Sequence, residues 1–269
     1  EKKRLPQKKK KLDILYEDDQ ILFVNKPVGM LSQKAKADDI SLNEYIISYL
    51  LEKKELTQQD LARFQPSICN RLDRNTSGIV AAGKTIAGLQ MLSGIFKDRT
   101  VHKYYRCIVK GQILKEQKIE GYLRKEEKKN QVFIEKEQSD NASWICTAYR
   151  PLEIFPQYTY LEVELITGRS HQIRAHLASI GHPLLGDTKY GDEKVNRRCK
   201  ERYHLTSQLL HCARLEMPVL EEIFIYVKKG ASCTFARTIS KNFERSESLR
   251  RKKWEHGVQE AFEGSCWKS

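Results

Sequence analysis

The segment DILYEDDQILFVNKP, residues 13–27, constrains the fold more than any other part of the chain. Apolar and polar residues alternate on both sides of EDDQ, and a two-residue period is typical of half-buried β-strands. Two such strands joined by a short turn predict an antiparallel hairpin, whose second strand ends at Lys26 and Pro27. The ordered part of the chain is therefore predicted to begin with a hairpin.

Three helices are predicted between further strands. SLNE at residues 41–44 is a capping box ahead of the apolar pattern in YIISYLLEK, and it predicts a helix over residues 41–53. A second helical face lies in TIAGLQMLSGIFKDR. A third helix is predicted to open at Gly168 and to stop at Gly181, a left-handed cap.

The remaining apolar runs are predicted to be strands. They are IVAAG, HKYYRCIVKG, a hairpin over 118–135 with EEKKN as its turn, two long strands around FPQY between Trp144 and Glu164, and LLHCARLEMP. Hairpins dominate this irregular alternation of strand and helix. The pattern favours the α+β class, with a mixed, largely antiparallel central sheet and flanking helices.

The charge of the chain indicates a polyanionic partner. Lys and Arg number 48 against 35 Asp and Glu among 269 residues, a formal net charge of +13. Such an excess attracts phosphate backbones from a distance, so nucleic acid is the first expected partner and an anionic membrane surface the second. No apolar run approaches the roughly 18 residues of a membrane helix, and no strongly amphipathic Lys-rich helix with a Trp or Phe face appears, so we expect no membrane partner.

The seven cysteines stand at positions 69, 107, 146, 199, 212, 233 and 266. They form no CxxC pair and no Cys/His spacing of the kind that binds zinc. This odd, scattered set is typical of a reducing compartment. It predicts a cytoplasmic protein without a structural metal.

The chain divides into three predicted parts. Residues 1–11, EKKRLPQKKKK, are predicted to be a basic linker or arm, since this composition cannot offset the entropy lost on ordering. Residues 12–240 are predicted to form the main domain. Residues 241–269 are predicted to be a charged C-terminal extension.

Motifs for nucleotide binding, zinc binding and serine hydrolysis are absent, namely GxxxxGK[ST], GxGxxG after a strand, HExxH and GxSxG. The protein is therefore expected to use neither a small-molecule cofactor nor a metal. Three segments instead concentrate charged and polar residues: NRLDRNTSG at 70–78, HKYYRCIVKG at 102–111, and ITGRSHQIRAHLASIGHPLLGDTKYG at 166–191.

Asp73 is the carboxylate of the first segment and lies between Arg71 and Arg74. Nearby cations keep a carboxylate ionised, and an ionised carboxylate in a dry site is the form a nucleophile needs. An isolated aspartate among small polar residues is more often a turn residue. The segment alone leaves both interpretations open.

Together the three segments resemble the RluA-type RNA pseudouridine synthases, whose motifs run RLDxxTSG, KxYxAxVxG and TGRxHQIRxHLxxxGHPxxGDxxYG. EDDQILFVNKPVGM is also similar to the opening hairpin of that family, with its Lys-Pro-x-Gly. The resemblance extends from about Leu15 to Arg214. It implies the pseudouridine synthase catalytic fold and the isomerisation of uridines in structured RNA, ribosomal RNA first and transfer RNA second.

The resemblance also implies catalytic roles for three residues. Asp73 corresponds to the nucleophile, and Arg169 is expected to pair with it. Tyr105 is expected to stack on the uracil and to be a candidate base for the final proton removal, while adjacent Tyr104 points to the opposite face of the strand. A base inside folded RNA must be flipped out, and Arg71 is expected to help fill the space it leaves.

Further residues are expected around the site, each with an equally good structural explanation. Basic residues that would contribute to a phosphate-binding surface, or to a solvated one, are Lys26, Arg74, Lys103, Arg174 and His176. Leu165 and Ile173 would pack near the base, or simply in the core.

Two hypotheses for function follow. The first is an RNA pseudouridine synthase that acts as a monomer; the second is a catalytically silent RNA-binding or ribosome-assembly factor with the same fold. The joint presence of Asp73, Tyr105 and Arg169 favours the enzyme. Two departures from the family pattern are Asn70, where many members have His, and GASCTFARTISKNF, which only loosely echoes the family's C-terminal segment.

Overall fold

A computed structural model describes residues 11–126, 131–217 and 225–226. These residues fall into two compact units. The first contains the described residues up to His102 and those from Cys212 onward, and the second is Lys103–His211. Residues 1–10 of the predicted arm, most of the predicted EEKKN turn and the whole predicted extension over 241–269 lie outside the described residues.

The described part contains strands and helices in the following chain order. The strands are β1 Ile14–Glu17, β2 Ile21–Lys26, β3 Ser67–Ile68, β4 Ser77–Gly83, β5 His102–Lys110, β6 Gln117–Glu126, β7 Gln131–Glu135, β8 Ala142–Ile154, β9 Tyr158–Leu165, β10 Leu210–Glu216 and β11 Ile225–Tyr226. The helices are α1 Leu42–Glu52, α2 Gln58–Arg63, α3 Ile86–Lys97, α4 Gln172–Ser179 and α5 Glu193–Tyr203.

The predicted opening hairpin is confirmed. β1 pairs antiparallel with β2, with Glu17 opposite Leu22. The carboxylate of Asp18 closes the turn because it accepts hydrogen bonds from the main-chain nitrogens of Gln20 and Ile21, both at 2.7 Å. β2 then pairs antiparallel with β4 from Ile21 opposite Gly83 to Lys26 opposite Gly78.

Helix α1 begins where the capping box predicts. The main-chain nitrogen of Ser41 donates to the carboxylate of Glu44 at 2.9 Å, and both residues are buried. Helix α3 begins after Thr85, whose hydroxyl accepts from the nitrogen of Gly88 at 3.1 Å. Both caps satisfy main-chain donors that a helix cannot pair internally.

In the second unit, the strands follow the order β5-β9-β8-β6-β7, each antiparallel to its neighbour. One face of this sheet packs against α4 through Leu123, Val132, Ile145 and Ala175. The other face packs against α5 through Ile108, Tyr160, Cys199 and Tyr203. The strands of the chain thus pair in a mixed, largely antiparallel way with flanking helices, and the predicted α+β class is confirmed.

The predicted start of the third helix at Gly168 is wrong, because α4 begins at Gln172. His171 has left-handed backbone angles, φ 56° and ψ 11°, which a continuous helix cannot contain. The predicted stop is confirmed, since Gly181 follows the helix with φ 84°. No helix within the described residues is long and apolar enough to cross a membrane.

Candidate active site

Asp73 lies half-buried in the first unit, on the loop between β3 and β4. The loop turns tightly there, because the main-chain nitrogen of Thr76 donates to the main-chain oxygen of Asp73 at 3.0 Å. The neighbours Leu72 and Thr76 are buried. The carboxylate is therefore carried by a loop with a buried side chain on each side of Asp73, one residue before it and three residues after it.

Lys26, at the end of β2, holds this loop in place through hydrogen bonds of its side chain. Its side chain has no exposed surface. The ammonium donates to the main-chain oxygens of Met30 at 2.8 Å, Pro27 at 3.1 Å and Arg74 at 3.1 Å. An ammonium group has three donors, and through these hydrogen bonds Lys26 joins the 27–30 loop to the residue after Asp73.

The side chains of Ser32 and Asn70 also form hydrogen bonds that hold this loop in place. The Ser32 hydroxyl donates to the main-chain oxygen of Leu72 at 2.7 Å and accepts from its nitrogen at 3.0 Å. The Asn70 amide donates to the main-chain oxygen of Ile79 at 3.1 Å and accepts from the nitrogen of Ala81 at 2.8 Å. Asn70 therefore fixes the start of the loop to β4 with both ends of its amide.

The arginines on either side of Asp73 are both exposed. Arg74 also donates through Nε to the main-chain oxygen of Gly29 at 3.2 Å, which adds a second contact between the two loops. The side chain of Arg71 is accessible to solvent. A side chain that fills the space left by a flipped nucleotide must be accessible in this way. The role of Arg71 in base flipping stays a prediction.

Tyr105 belongs to the second unit and lies on β5, with 6% of its surface exposed. It faces Val163 on β9, and Val163 faces Tyr149 on β8. Thr147, two residues before Tyr149 on β8, faces Leu165 and hydrogen-bonds to side chains of α4. Tyr105 and Leu165 therefore share the face of the sheet that packs against α4.

Strand alternation puts Lys103 on that same face and Tyr104 on the other, where Tyr104 lies opposite Glu164. Both Lys103 and Tyr104 are half-buried. Ile173 is buried on α4, with 4% of its surface exposed. The two tyrosines therefore lie on opposite faces of β5, as predicted, and the role of Tyr105 at the uracil stays a prediction.

Arg169 is exposed and lies in the turn before α4, not in the helix. The turn is organised by Gln172, which is buried. The Gln172 side-chain oxygen accepts from the Arg169 nitrogen at 3.0 Å and from the Thr167 hydroxyl at 2.9 Å. Its amide nitrogen donates to the main-chain oxygen of Cys146 and to the hydroxyl of Thr147, both at 3.0 Å. Gln172 thus ties the backbone of Arg169 to β8.

Arg174 and His176 point into the second unit. Arg174 forms a two-point ion pair with Asp187, with Nε to Oδ2 at 2.7 Å and Nη2 to Oδ1 at 2.9 Å. Burial alone would raise the pKa of Asp187, but the hydrogen bonds and charge of Arg174 lower it below its ordinary value. His176 is 1% exposed, its Nδ1 lies 3.0 Å from the Thr147 hydroxyl, and burial lowers its pKa.

Sequence reasoning missed the residues that position the site. None of Gln172, Ser32 and Asn70 was a predicted site residue, yet each holds the backbone of a predicted catalytic segment. Two of them gave a signal: Gln172 is a polar residue on the buried face of a predicted helix, and Asn70 departs from the family pattern. Among the described residues, no group of three His, Cys, Asp or Glu side chains is arranged to hold a metal ion.

Comparison with known proteins covers all three predicted catalytic residues. Residues 20–179 match the family model described as RNA pseudouridylate synthase. Ribosomal large subunit pseudouridine synthase D of Borreliella burgdorferi is 32% identical over 215 residues, 78% of this chain and 62% of the relative. tRNA pseudouridine synthase C of Salmonella typhi is 30% identical over 218 residues, 77% of this chain and 80% of the relative.

The chain spans about three fifths of the length of the Borreliella relative. Among solved structures, human RNA Pseudouridylate Synthase Domain Containing 1 covers 87% of this chain and 90% of its own, with a TM-score of 0.66 and 22% sequence identity. At this identity the likeness concerns the fold alone.

Proposed function

The chain belongs to the RluA-type family of RNA pseudouridine synthases, and from this membership we propose that it converts uridine to pseudouridine in structured ribosomal or transfer RNA. The observation that carries the proposal is the family match over residues 20–179, which includes the Asp73 loop, Tyr105 and Arg169. The named functions of the two relatives, one on ribosomal and one on transfer RNA, support this pair of substrate classes.

The proposed reaction is an isomerisation in which no atom is gained or lost. The bond from the ribose to a uracil nitrogen breaks, the uracil turns, and a bond forms from the ribose to a uracil carbon. The proton on that carbon is then removed, and a proton is bound at the freed nitrogen. No oxidant or nucleotide is consumed, so side chains alone can supply the chemistry.

In this proposal Asp73 attacks the nucleotide or assists loss of the base. A carboxylate can do this only if it is held in place and ionised. The bonds of Lys26, Ser32 and Asn70 to its loop support the first condition. Arg169 is proposed to support the second by pairing with Asp73, from a turn whose backbone Gln172 fixes.

Tyr105 is proposed to stack on the uracil, beside Leu165 and Ile173, and to take part in removal of the proton. Arg71 is proposed to fill the gap left by the flipped nucleotide, with a cost of unstacking of a few kcal/mol. Arg74 and Lys103 remain proposed phosphate contacts. Lys26, Arg174 and His176 have internal partners and little exposed surface, so we assign them to positioning instead of to phosphate contact.

The test is the Asp73→Asn variant, with Asp98→Asn as the matched control because Asp98 is an exposed aspartate of the same unit. Asn keeps the size and removes the charge, so isomerisation should fall by about 10³-fold or more. Pseudouridine is counted by carbodiimide labelling of tRNA and large-subunit rRNA transcripts. RNA affinity and the unfolding midpoint should stay at wild-type values. Pseudouridine formation by Asp73→Asn at the wild-type rate would overturn the nucleophile assignment.

The silent RNA-binding factor remains the alternative function. It predicts that the wild-type protein binds both transcripts but forms no pseudouridine in either. It also predicts that no pseudouridine forms when the protein is added to total RNA from cells that lack the gene. The enzyme hypothesis predicts at least one modified uridine that disappears with Asp73→Asn. The activity as proposed requires neither a cofactor nor a second subunit.

A further inference from the structure

Helix α5, Glu193–Tyr203, follows the last of the three polar segments and contains none of the family motifs, and its charged residues have an unusual distribution. Its buried residues are Cys199 and Tyr203, which pack in the apolar cluster with Ile108 and Tyr160. All its exposed residues are charged: Glu193, Lys194, Arg197, Arg198, Lys200, Glu201 and Arg202. Five cations and two carboxylates therefore face solvent from three turns of helix.

The helix is held rigidly against the second unit. The Asp192 carboxylate caps its start by accepting from the nitrogen of Val195 at 3.0 Å, and the same side chain pairs with Lys110 at 2.7 Å. Asn196 donates to the main-chain oxygen of Asp187 at 2.7 Å and accepts from the nitrogen of Gly186 at 2.8 Å. The rotation of the helix about its axis is therefore fixed, and with it the direction of the basic side chains.

Lys194, Arg198 and Arg202 follow one another at four-residue intervals, so they form one row along the exposed side, which we call the basic row. Like charges at this spacing destabilise a helix by about 0.2–0.5 kcal/mol per pair. Within the described residues, no salt bridge joins Lys194, Arg197 or Arg198 to a carboxylate. Neighbouring cations of the row therefore repel each other, and an anionic partner would relieve this repulsion.

We propose that the basic row binds the phosphate backbone of the substrate RNA at a position away from the target uridine; this inference rests on the proposed function. The position follows from the sheet. Ile108, against which α5 packs, lies three residues from Tyr105 on β5, so the two side chains point to opposite faces. The basic row therefore lies on the face of the second unit opposite the one that carries Tyr105.

Because of this placement, the row can contact only RNA that extends beyond the immediate surroundings of the reacting base. Large structured RNA has such extensions, and a short stem-loop does not. The basic row would select for RNA size and shape, since contacts to phosphate carry no sequence information. It would contribute to affinity for ribosomal or transfer RNA more than to the chemical step.

The experiment compares two triple variants of the full chain. The first is Lys194→Gln, Arg198→Gln and Arg202→Gln, in which Gln preserves helix propensity and removes charge. The control is Lys97→Gln, Lys115→Gln and Lys136→Gln, which removes the same number of exposed cations elsewhere. Circular dichroism and thermal unfolding establish that both variants fold.

RNA binding is measured by filter retention between 50 and 300 mM KCl, with a tRNA transcript, a large-subunit rRNA fragment and a 12-nucleotide stem-loop as probes. Loss of three phosphate contacts should reduce the slope of log K against log salt by about 3 and weaken binding of the long RNAs by about tenfold. The KM for pseudouridine formation on the long RNAs should rise as the affinity for them falls. The control triple variant should change the affinity by less than about twofold.

Two results would overturn the proposal. One is equal loss of affinity in both triple variants, which would mean that only overall charge matters. The other is equal loss on the stem-loop and the long RNAs, which would place the row at the reacting base. Failure of the proposed function looks different: the wild type would form no pseudouridine, while the basic-row variant would still lose affinity for long RNA relative to the control.

Discussion

The buried ammonium of Lys26 donates to the main-chain oxygen of Arg74 at 3.1 Å, so a cation with no exposed surface joins the end of β2 to the residue that follows Asp73. The same ammonium also donates to the main-chain oxygens of Pro27 and Met30, which hold the 27–30 loop. These main-chain oxygens compensate part of the cost of burying the charge, because the dipoles of three carbonyl groups converge on one ammonium.

Replacing Lys26 by Met should therefore reduce both stability and activity. Met has a similar length, but it leaves three main-chain acceptors without their donor, at an expected cost of about 3 kcal/mol in the free energy of unfolding. The looser Asp73 loop should also lower kcat for pseudouridine formation. Urea unfolding and single-turnover kinetics measure the two effects. Lys36→Met, at an exposed lysine of the same unit, should change neither. Wild-type stability in Lys26→Met would refute the bracing role.

The same contacts show which features a sequence can specify. The opening hairpin and α1 were predictable because their signals are local: an Asp18 turn, a capping box, a short apolar period. The burial of Lys26 was not, since its partner Arg74 is 48 residues away and a lysine at the end of a strand is normally exposed.

The start of α4 shows the same limit. A helical pattern that begins at Gly168 is locally reasonable, but Gln172 is bonded to Cys146 and Thr147 on β8, and His171 contacts Tyr190, 19 residues later. Because of these distant partners, α4 begins only at Gln172, and Arg169 lies in the turn before it. Tertiary contacts, which no local period encodes, thus decide where the predicted catalytic arginine stands.

Gly78→Ala should prevent correct folding of the first unit. Gly78 has φ +116°, a conformation that a side chain disfavours, and an added Cβ would lie 2.2 Å from the main-chain oxygen of Cys212 on β10. Because the obstacle is backbone, no rotamer change relieves it. Gly94→Ala is the control, since its Cβ would meet no atom within 4 Å and it lies in a helix, where Ala is favoured. Soluble yield and thermal unfolding should separate the two variants clearly.

His211 should make the protein less stable in mild acid. Burial first, and then the positive charge of Arg106, lower the pKa of His211 to about 4, below its ordinary 6.5. Between these values the unfolded chain binds a proton that the folded chain does not, so stability rises with pH through this window and is lost as pH falls from 6.5 to 4. The loss should reach about 3 kcal/mol.

Urea titrations at pH 4.5, 5.5, 6.5 and 7.5 measure this dependence. His211→Gln should flatten the curve below pH 6.5, even if the variant is less stable throughout. His102→Gln, at an exposed histidine, should leave the wild-type slope intact. An unchanged slope in His211→Gln would assign the acid sensitivity to other groups.

Asn70 stands where many family members have His. The hydrogen bonds of Asn70 predict how the substitution Asn70→His would affect activity. The Asn70 amide is at once a donor to Ile79 and an acceptor from Ala81, whatever the pH. An imidazole offers one donor and one acceptor only while it is neutral; once protonated, it has two donors and no acceptor. Asn70→His should therefore retain activity near pH 8 but lose it progressively below about pH 6.5, whereas Asn70→Ala should lose about 2 kcal/mol of stability at every pH.

The measurement is kcat for pseudouridine formation by wild type, Asn70→His and Asn70→Ala from pH 5.5 to 8.5, with unfolding free energies at the same values. The ratio of the Asn70→His rate to the wild-type rate isolates the new titration, because every other group titrates alike in both proteins. A ratio that falls at acid pH would mean that the hydrogen bond from the Ala81 nitrogen to the side chain at position 70 keeps the Asp73 loop in place. A flat ratio would mean that the bond to Ile79 alone suffices, and that the amide at position 70 does not protect the loop from acid.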